Sequence, residues 1–220
     1  MKQKKKNVKV LVFDVGGVLA LPHHYIKKGE KEFSGIHEHI ARKLSISFDE
    51  WFDAIDVLYT QATIGKISRQ KFINEVSKKL SVNKKRLVKT IQQAYTSCMK
   101  KNYELFTIIK TLRKNGYIVG VLTDQWYFSR ESIFPKKEQK NFDFVIVSYE
   151  AGMKKPDPAI YTLLMKKIHQ KNKMVKPSEV VFIDNRDYNL IPAKKMGMKT
   201  VLFKDNAQVM RELGRIEVSV

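Results

Sequence analysis

The sequence has almost no cysteine. Cys98 stands alone among 220 residues, so no disulfide can form within the chain and nothing points to an oxidising compartment. No apolar run comes near the roughly 20 residues that cross a bilayer. The opening MKQKKKNVK has the charge of a leader's first residues, but the apolar run behind it is short and ends in Asp14 without a cleavage pattern. No signal peptide or membrane role is expected, and the cytoplasm is the expected location. Acids are scarce as well: 22 Asp and Glu face 42 Lys and Arg, a formal charge of +20. Such an excess suits an anionic partner. Yet the lysines are spread over the whole chain, and no arginine-rich helix, zinc-ligand spacing or aromatic RNA-binding signature goes with them. The charge therefore reads as a lysine-rich solvated surface, and nucleic acid is not the expected partner. There are no internal repeats, and the run Lys4, Lys5, Lys6 reads as a solvated terminus.

What is present is enough for a core, since 43% of the residues are hydrophobic. The pattern opens with VKVLVFDVGGVL at residues 8–19. Val10, Leu11, Val12 and Phe13 predict a strand buried on both faces. The run stops at Asp14, and Gly16 and Gly17 allow a sharp turn and a close backbone approach. Helical spacing then takes over. Residues 35–44 form a short amphipathic segment. Ser47 with Glu50 reads as a capping box ahead of Trp51, Phe52, Ile55, Leu58 and Tyr59. Further helices are expected over 68–80 and 82–99. From Asn102 onward the rhythm alternates: helices over 103–114, 125–134, 160–168, 188–196 and 205–213, and strands over 117–122, 142–147, 180–183 and 199–203. Five strands separated by helices predict an α/β fold, a Rossmann-like doubly wound parallel sheet. The four helices without a strand read as an all-helical insertion after the first strand. Residues 1–20 and 100–220 are then the core domain, and 21–99 the insertion.

In a parallel sheet the groups just beyond the strand ends share one rim. Here they are Asp14, Thr123 with Asp124, Asp184 with Asn185, and the loop GMKKPDP at 152–158. Carboxylates with open positions suit Mg²⁺, which keeps few protein ligands besides water and phosphate oxygens. A lysine would hold a second phosphate oxygen, and the Thr123 hydroxyl a third. A carboxylate beside the phosphorus can attack it.

In order, FDVGGVL, LTDQW, GMKKPDP and VVFIDN resemble the four motifs of the haloacid dehalogenase-like (HAD) hydrolase superfamily. The resemblance spans nearly the whole chain, because the helical insertion looks like that superfamily's C1 cap. Within it the sequence is similar to phosphatases of sugar 1-phosphates and to the N-terminal phosphatase domain of soluble epoxide hydrolase, whose GVLALP continuation is present at 17–22. The resemblance implies a Mg²⁺-dependent phosphatase of a small phosphorylated substrate. Asp14 would be the nucleophile and a metal ligand, and the Gly16 carbonyl a second ligand. Thr123 and the Asp124 amide would bind phosphate. Lys155, directly before Pro156, matches the family lysine better than Lys154. Asp184 and Asn185 would complete the metal site.

Three departures qualify this. The family's phosphatases usually carry a second aspartate, a general acid and base, where this chain has Gly16. Its loss typically costs about 10²–10⁴-fold and hurts least with leaving groups that need no proton. Asp124 stands where asparagine is common, and its charge repels phosphate unless the side chain points away. Asn185 lowers the negative charge around the metal. His23 or His24, with an unperturbed pKa near 6.5, is a candidate replacement proton donor. His37 and His39, two residues apart, are not expected to bind metal together. Asp187 reads as a cap. Trp126 and Tyr127 either line a pocket or pack. The alternative reading is a weak or inactive relative that binds a phosphorylated ligand or a partner. A dehalogenase is disfavoured, because that group's substrate-binding arginine and the aromatic residue after its nucleophile are not evident.

Overall fold

The structure, a computed structural model, describes residues 7–23 and 35–219. The chain begins with β1 (Val10–Phe13) and β2 (Ala20–Pro22), followed by four helices: α1 (Ile36–Leu44), α2 (Phe48–Thr63), α3 (Arg69–Lys79) and α4 (Lys84–Cys98). Next come β3 (Met99–Lys101), α5 (Tyr103–Lys114), β4 (Ile118–Thr123), α6 (Tyr127–Ile133), α7 (Lys136–Gln139), β5 (Phe144–Val147) and α8 (Ser148–Ala151). The chain finishes with α9 (Pro158–Lys171), β6 (Val180–Asp184), α10 (Asp187–Lys195), β7 (Lys199–Leu202) and α11 (Asn206–Arg215).

The main sheet has five parallel strands in the order β5-β4-β1-β6-β7. Side chains alternate across each strand. Leu11 and Phe13 of β1 therefore face one layer, with Leu105, Ile109 and Leu112 of α5 and Val209 and Leu213 of α11. Val10 and Val12 face the other, with Ile160, Leu164 and Ile168 of α9 and Ala193 of α10. Chain order reverses at β1, which pairs with β4 on one side and β6 on the other. That switch point opens a crevice at the carboxyl ends of these strands.

Helices α1 to α4 have a core of their own, built on Ile40, Trp51, Ile55, Phe72, Leu87 and Ile91. Trp126, Tyr127 and Phe128, at the start of α6, belong to the same cluster. The Trp126 ring lies 4.8 Å from Phe72 and 5.1 Å from Tyr59 between centroids, and its Nε1 donates to the Tyr95 hydroxyl at 2.7 Å. Of the two roles open to Trp126 in the sequence, this is packing. The capping box at Ser47 is formed in both directions, with Glu50 N to Ser47 Oγ at 3.1 Å and Ser47 N to Glu50 Oε2 at 2.7 Å.

One feature departs from the expected strand-free insertion. β2 and β3 pair antiparallel, Pro22 opposite Met99 and Ala20 opposite Lys101, where the helical segment leaves and rejoins the sheet domain. The helix expected to run to Met99 accordingly stops at Cys98. Three-residue strands are too short for an alternation signal, and Met-Lys-Lys carries none. Asn102 locks this junction: its Nδ2 donates to Val18 O at 3.0 Å while its Oδ1 accepts from Leu105 N at 3.3 Å, capping α5. Among the described residues no helix is long and apolar enough to cross a membrane.

Gly120 in β4 shows how closely the sheet is packed. A Cβ built there would lie 2.1 Å from Phe144 Cζ, because the Phe144 ring rests on the Gly120 backbone. Gly120→Ala is expected to destabilise the fold by about 1–3 kcal/mol, as overpacking does. A urea midpoint equal to wild type would contradict this.

Candidate active site

Three strand ends build the site. Asp14 follows β1, its N–H bonded to Ile183 O at 2.9 Å in continuation of the β1–β6 pairing. Thr123 ends β4, and Asp184 ends β6. The loop between α8 and α9 delivers Lys155 from the side. Its Nζ lies 2.6 Å from Asp184 Oδ2, 3.0 Å from Asp14 Oδ1 and 3.2 Å from Leu122 O. Lys155 is 3% exposed, Asp184 0% and Asp14 7%, so one buried ammonium sits between two buried carboxylates. Lys154 stays exposed at the surface.

Asp184 is fully partnered. Oδ1 accepts from Arg186 N at 2.8 Å, and both oxygens accept from Asn189 Nδ2 at 3.1 Å. Tyr161 donates its hydroxyl to Asn189 O and so fixes that residue. Asp124 turns its Oδ1 to the Lys155 backbone N–H at 3.0 Å. Its carboxylate thereby ties down the lysine loop.

The electrostatics follow from burial. Loss of water opposes the charge on Lys155, but Asp14, Asp184 and Asp124 outweigh it and hold its pKa above the ordinary value. Burial, opposed by Lys155 and reinforced by Asp184, raises Asp14 to about 6. One cation between two carboxylates leaves the centre with negative charge in excess, a setting that favours a further cation.

A cavity of about 370 Å³ opens above this centre. Asp14, Gly16, Asp124 and Lys155 line its floor, and Tyr59 and Thr63 of α2 form the facing wall. Lys154, Pro156, Arg186, Tyr188 and Asn189 complete it. Thr123 Oγ1 and Asn189 Oδ1 are buried without a hydrogen-bond partner, and so is Asp14 Oδ1, whose contact with Lys155 is an ion pair without hydrogen-bond alignment. Buried polar groups are rarely left unmatched. Unmatched oxygens at the strand ends, with a buried ammonium beside Asp14, fit a site that takes an oxyanion and a metal ion. Among the described residues no three His, Cys, Asp or Glu side chains cluster to hold a metal. Mg²⁺ does not require this, since it commonly uses one or two carboxylates.

The structure thus brings Asp14, Asp124, Lys155 and Asp184 together, with Gly16 on the cavity floor and Thr123 at the end of the neighbouring strand. Two expectations fare differently. Asn185 is exposed and its amide packs over Gly17, 2.3 Å from where a Cβ would stand; with a φ of +81° that position takes glycine on both counts. Asn189, not Asn185, is the amide that reaches Asp184. His23 is exposed at the end of the β2–β3 ribbon, its N–H bonded to Cys98 O at 2.6 Å, and it does not line the cavity. His24 lies outside the described residues. Asp187 accepts from Tyr188 N at 2.7 Å as α10 begins, a local turn contact.

Asn189, Arg186, Tyr188, Tyr59 and Thr63 were not foreseen. Asn189 had a usable signal: five residues after Asp184, it falls in the first turn of a helix that returns over the strand end. Tyr59 has the same helical spacing as its core neighbours, so periodicity alone hides its role.

A parallel sheet with an acid at the end of its central strand, and a lysine clamped between that acid and a second one, defines an α/β enzyme of the switch-point type. Comparison with known proteins narrows the class. The model of the haloacid dehalogenase-like hydrolases matches residues 8–197, and the chain belongs to this family. It is 28% identical over 236 residues to bifunctional epoxide hydrolase 2 of Sus scrofa, covering 95% of this chain and 39% of that protein. It is 36% identical over 99 residues to a glyceraldehyde 3-phosphate phosphatase of Pyrococcus furiosus, covering 42% of this chain and 38% of the relative. The chain therefore spans about two fifths of the length of the curated relatives it matches. A HAD family enzyme from Bacteroides thetaiotaomicron, crystallised with magnesium and inorganic phosphate, shares the fold with a TM-score of 0.69 at 21% identity, over 93% of this chain and 100% of that one.

Proposed function

We propose that this protein is a cytoplasmic, Mg²⁺-dependent phosphatase of small phosphorylated metabolites that works through Asp14. The observation that carries the proposal is Lys155 Nζ held at 3.0 Å from Asp14 and 2.6 Å from Asp184, with Asp14 and Lys155 both lining the cavity. Asp14 attacks phosphorus, and the bond from phosphorus to the leaving oxygen breaks. The resulting aspartyl-phosphate is opened by water, which releases inorganic phosphate and restores the carboxylate. Lys155 and Thr123 hold the phosphate oxygens. Asp14, the Gly16 carbonyl and Asp184 would hold Mg²⁺, with Asn185 at the edge of the set. When bound, the ion supplies positive charge against the phosphate oxygens.

Residues 21–99 act as a cap in this proposal. Tyr59 and Thr63 of α2 contribute to the cavity wall, and movement about the β2–β3 ribbon would admit substrate and exclude water. Gly16 favours a second reading, a relative that binds a phosphorylated ligand and turns it over poorly. Phosphate release that requires both Mg²⁺ and Asp14 supports the first reading. Mg²⁺-dependent ligand binding without such release supports the second.

A pH dependence follows. Burial raises Asp14 to about 6, so below that pH the side chain carries a proton, and only the carboxylate can ligate a cation. Mg²⁺ affinity of the substrate-free protein, read by calorimetry, is expected to fall as pH drops through about 6, with a proton released on binding at and below that pH. Equal affinity at about pH 5 and about pH 8 would contradict it.

A further inference from the structure

We infer that the cavity selects phosphate esters whose leaving group carries a second negative charge, a carboxylate or another phosphate, and that Arg186 reads that charge. The inference rests on the phosphatase reading above and names its substrate class.

The first observation is the character of the cavity. Among the described residues no Val, Leu, Ile or Met lines it; its larger carbon surfaces are Tyr59, Pro156 and Tyr188. Cavities for apolar ligands are lined mostly by hydrophobic side chains. This one suits a small, strongly polar compound.

The second is a cation left over after the phosphate site is accounted for. Lys155 belongs to the floor. Arg186 also lines the cavity; Asp14 and Asp184 act on it through space, but among the described residues no carboxylate comes within ion-pair contact of it. The residue is exposed, but two contacts hold it at the cavity mouth. The backbone N–H is bonded to Asp184 Oδ1 at 2.8 Å. Nη1 donates to the Tyr188 hydroxyl, and the guanidinium carbon lies 5.8 Å from the centre of the Tyr188 ring. Both residues line the cavity, so the tyrosine holds the arginine at the site. A guanidinium has five N–H donors in a rigid fork suited to carboxylate and phosphate. Tyr188 occupies one nitrogen, and the remaining donors are available to a ligand. Holding the side chain in place beforehand lowers the entropy cost of binding. Lys154, exposed on the same cavity and also without an ion pair among the described residues, adds charge of the same sign.

The test compares 3-phosphoglycerate with glycerol 1-phosphate. Both are primary phosphate esters, and they differ in a carboxylate against an uncharged hydroxymethyl group. Phosphate release with Mg²⁺ is measured for wild type, Arg186→Gln, Arg186→Lys and Asp14→Asn. Wild type should prefer the carboxylate by about 10- to 100-fold in kcat/KM, the range of a hydrogen bond to a charged group. Arg186→Gln should bring the ratio towards one, mainly through KM, and Arg186→Lys should keep part of it. Asp14-dependent release with a wild-type ratio near one overturns the inference and leaves the phosphatase reading standing. Equal losses on both substrates in Arg186→Gln also overturn it, by assigning Arg186 to the transferred phosphoryl group or to the fold. No Asp14-dependent release from either compound, or from acetyl phosphate, removes the phosphatase reading and the inference with it.

Discussion

Asp14→Asn is expected to abolish phosphate release while leaving the protein folded. The change replaces one oxygen by nitrogen at the end of β1 and conserves volume. An amide cannot form the acyl phosphate that a carboxylate forms, so the loss should be on the order of 10³-fold or more, as when other enzymes lose their nucleophile. Stability should move the other way. Asp14 is 7% exposed and burial raises its pKa to about 6, so its charge at neutral pH is held against a desolvation cost. Lys155 keeps Asp184 at 2.6 Å as its partner. Thermal melting at about pH 8 should show Asp14→Asn at least as stable as wild type. An inactive variant that is also unfolded would say nothing about chemistry, which is why both measurements belong together.

Gly16→Asp is expected to raise activity. A Cβ built at Gly16 meets no atom within 4 Å, its φ is not in the left-handed region, and the residue lines the cavity. Its neighbour differs on each structural count, since Gly17 has a φ of +81° and lies against Asn185. An aspartate at 16 thus has room and a permitted backbone. The leaving alkoxide of an alkyl phosphate needs a proton as its bond to phosphorus breaks, and a positioned acid typically contributes about 10²–10⁴-fold. The gain should appear with glycerol 1-phosphate and be small with acetyl phosphate, whose leaving carboxylate needs no proton. Equal gains on both, or none on either in a folded variant, would mean that proton supply at this position does not limit turnover.

The parts of the fold that were legible in the sequence are those where burial forces composition. β1 is flanked by strands and covered on both faces, so it had to be apolar and to end abruptly where chemistry begins. Lys155 could be singled out among many lysines by its place before Pro156 and beside strand-end acids, not by composition. The β2–β3 ribbon was hidden because strands of three residues are too short to carry a pattern. Arg186 was hidden because an arginine two residues beyond a strand looks like any solvated loop residue until Tyr188 and the cavity are placed around it. His23 is the reverse case: nearness in sequence to Asp14 does not by itself put a side chain on the cavity lining.

The most direct test of the central claim is to quench the wild-type protein in acid while it turns over acetyl phosphate with Mg²⁺, and to map any covalent phosphoryl group by peptide mass spectrometry. A phosphoryl group on Asp14 is expected, absent without Mg²⁺ and absent in Asp14→Asn. Steady release of phosphate with no adduct on Asp14, or an adduct on another residue, would contradict it.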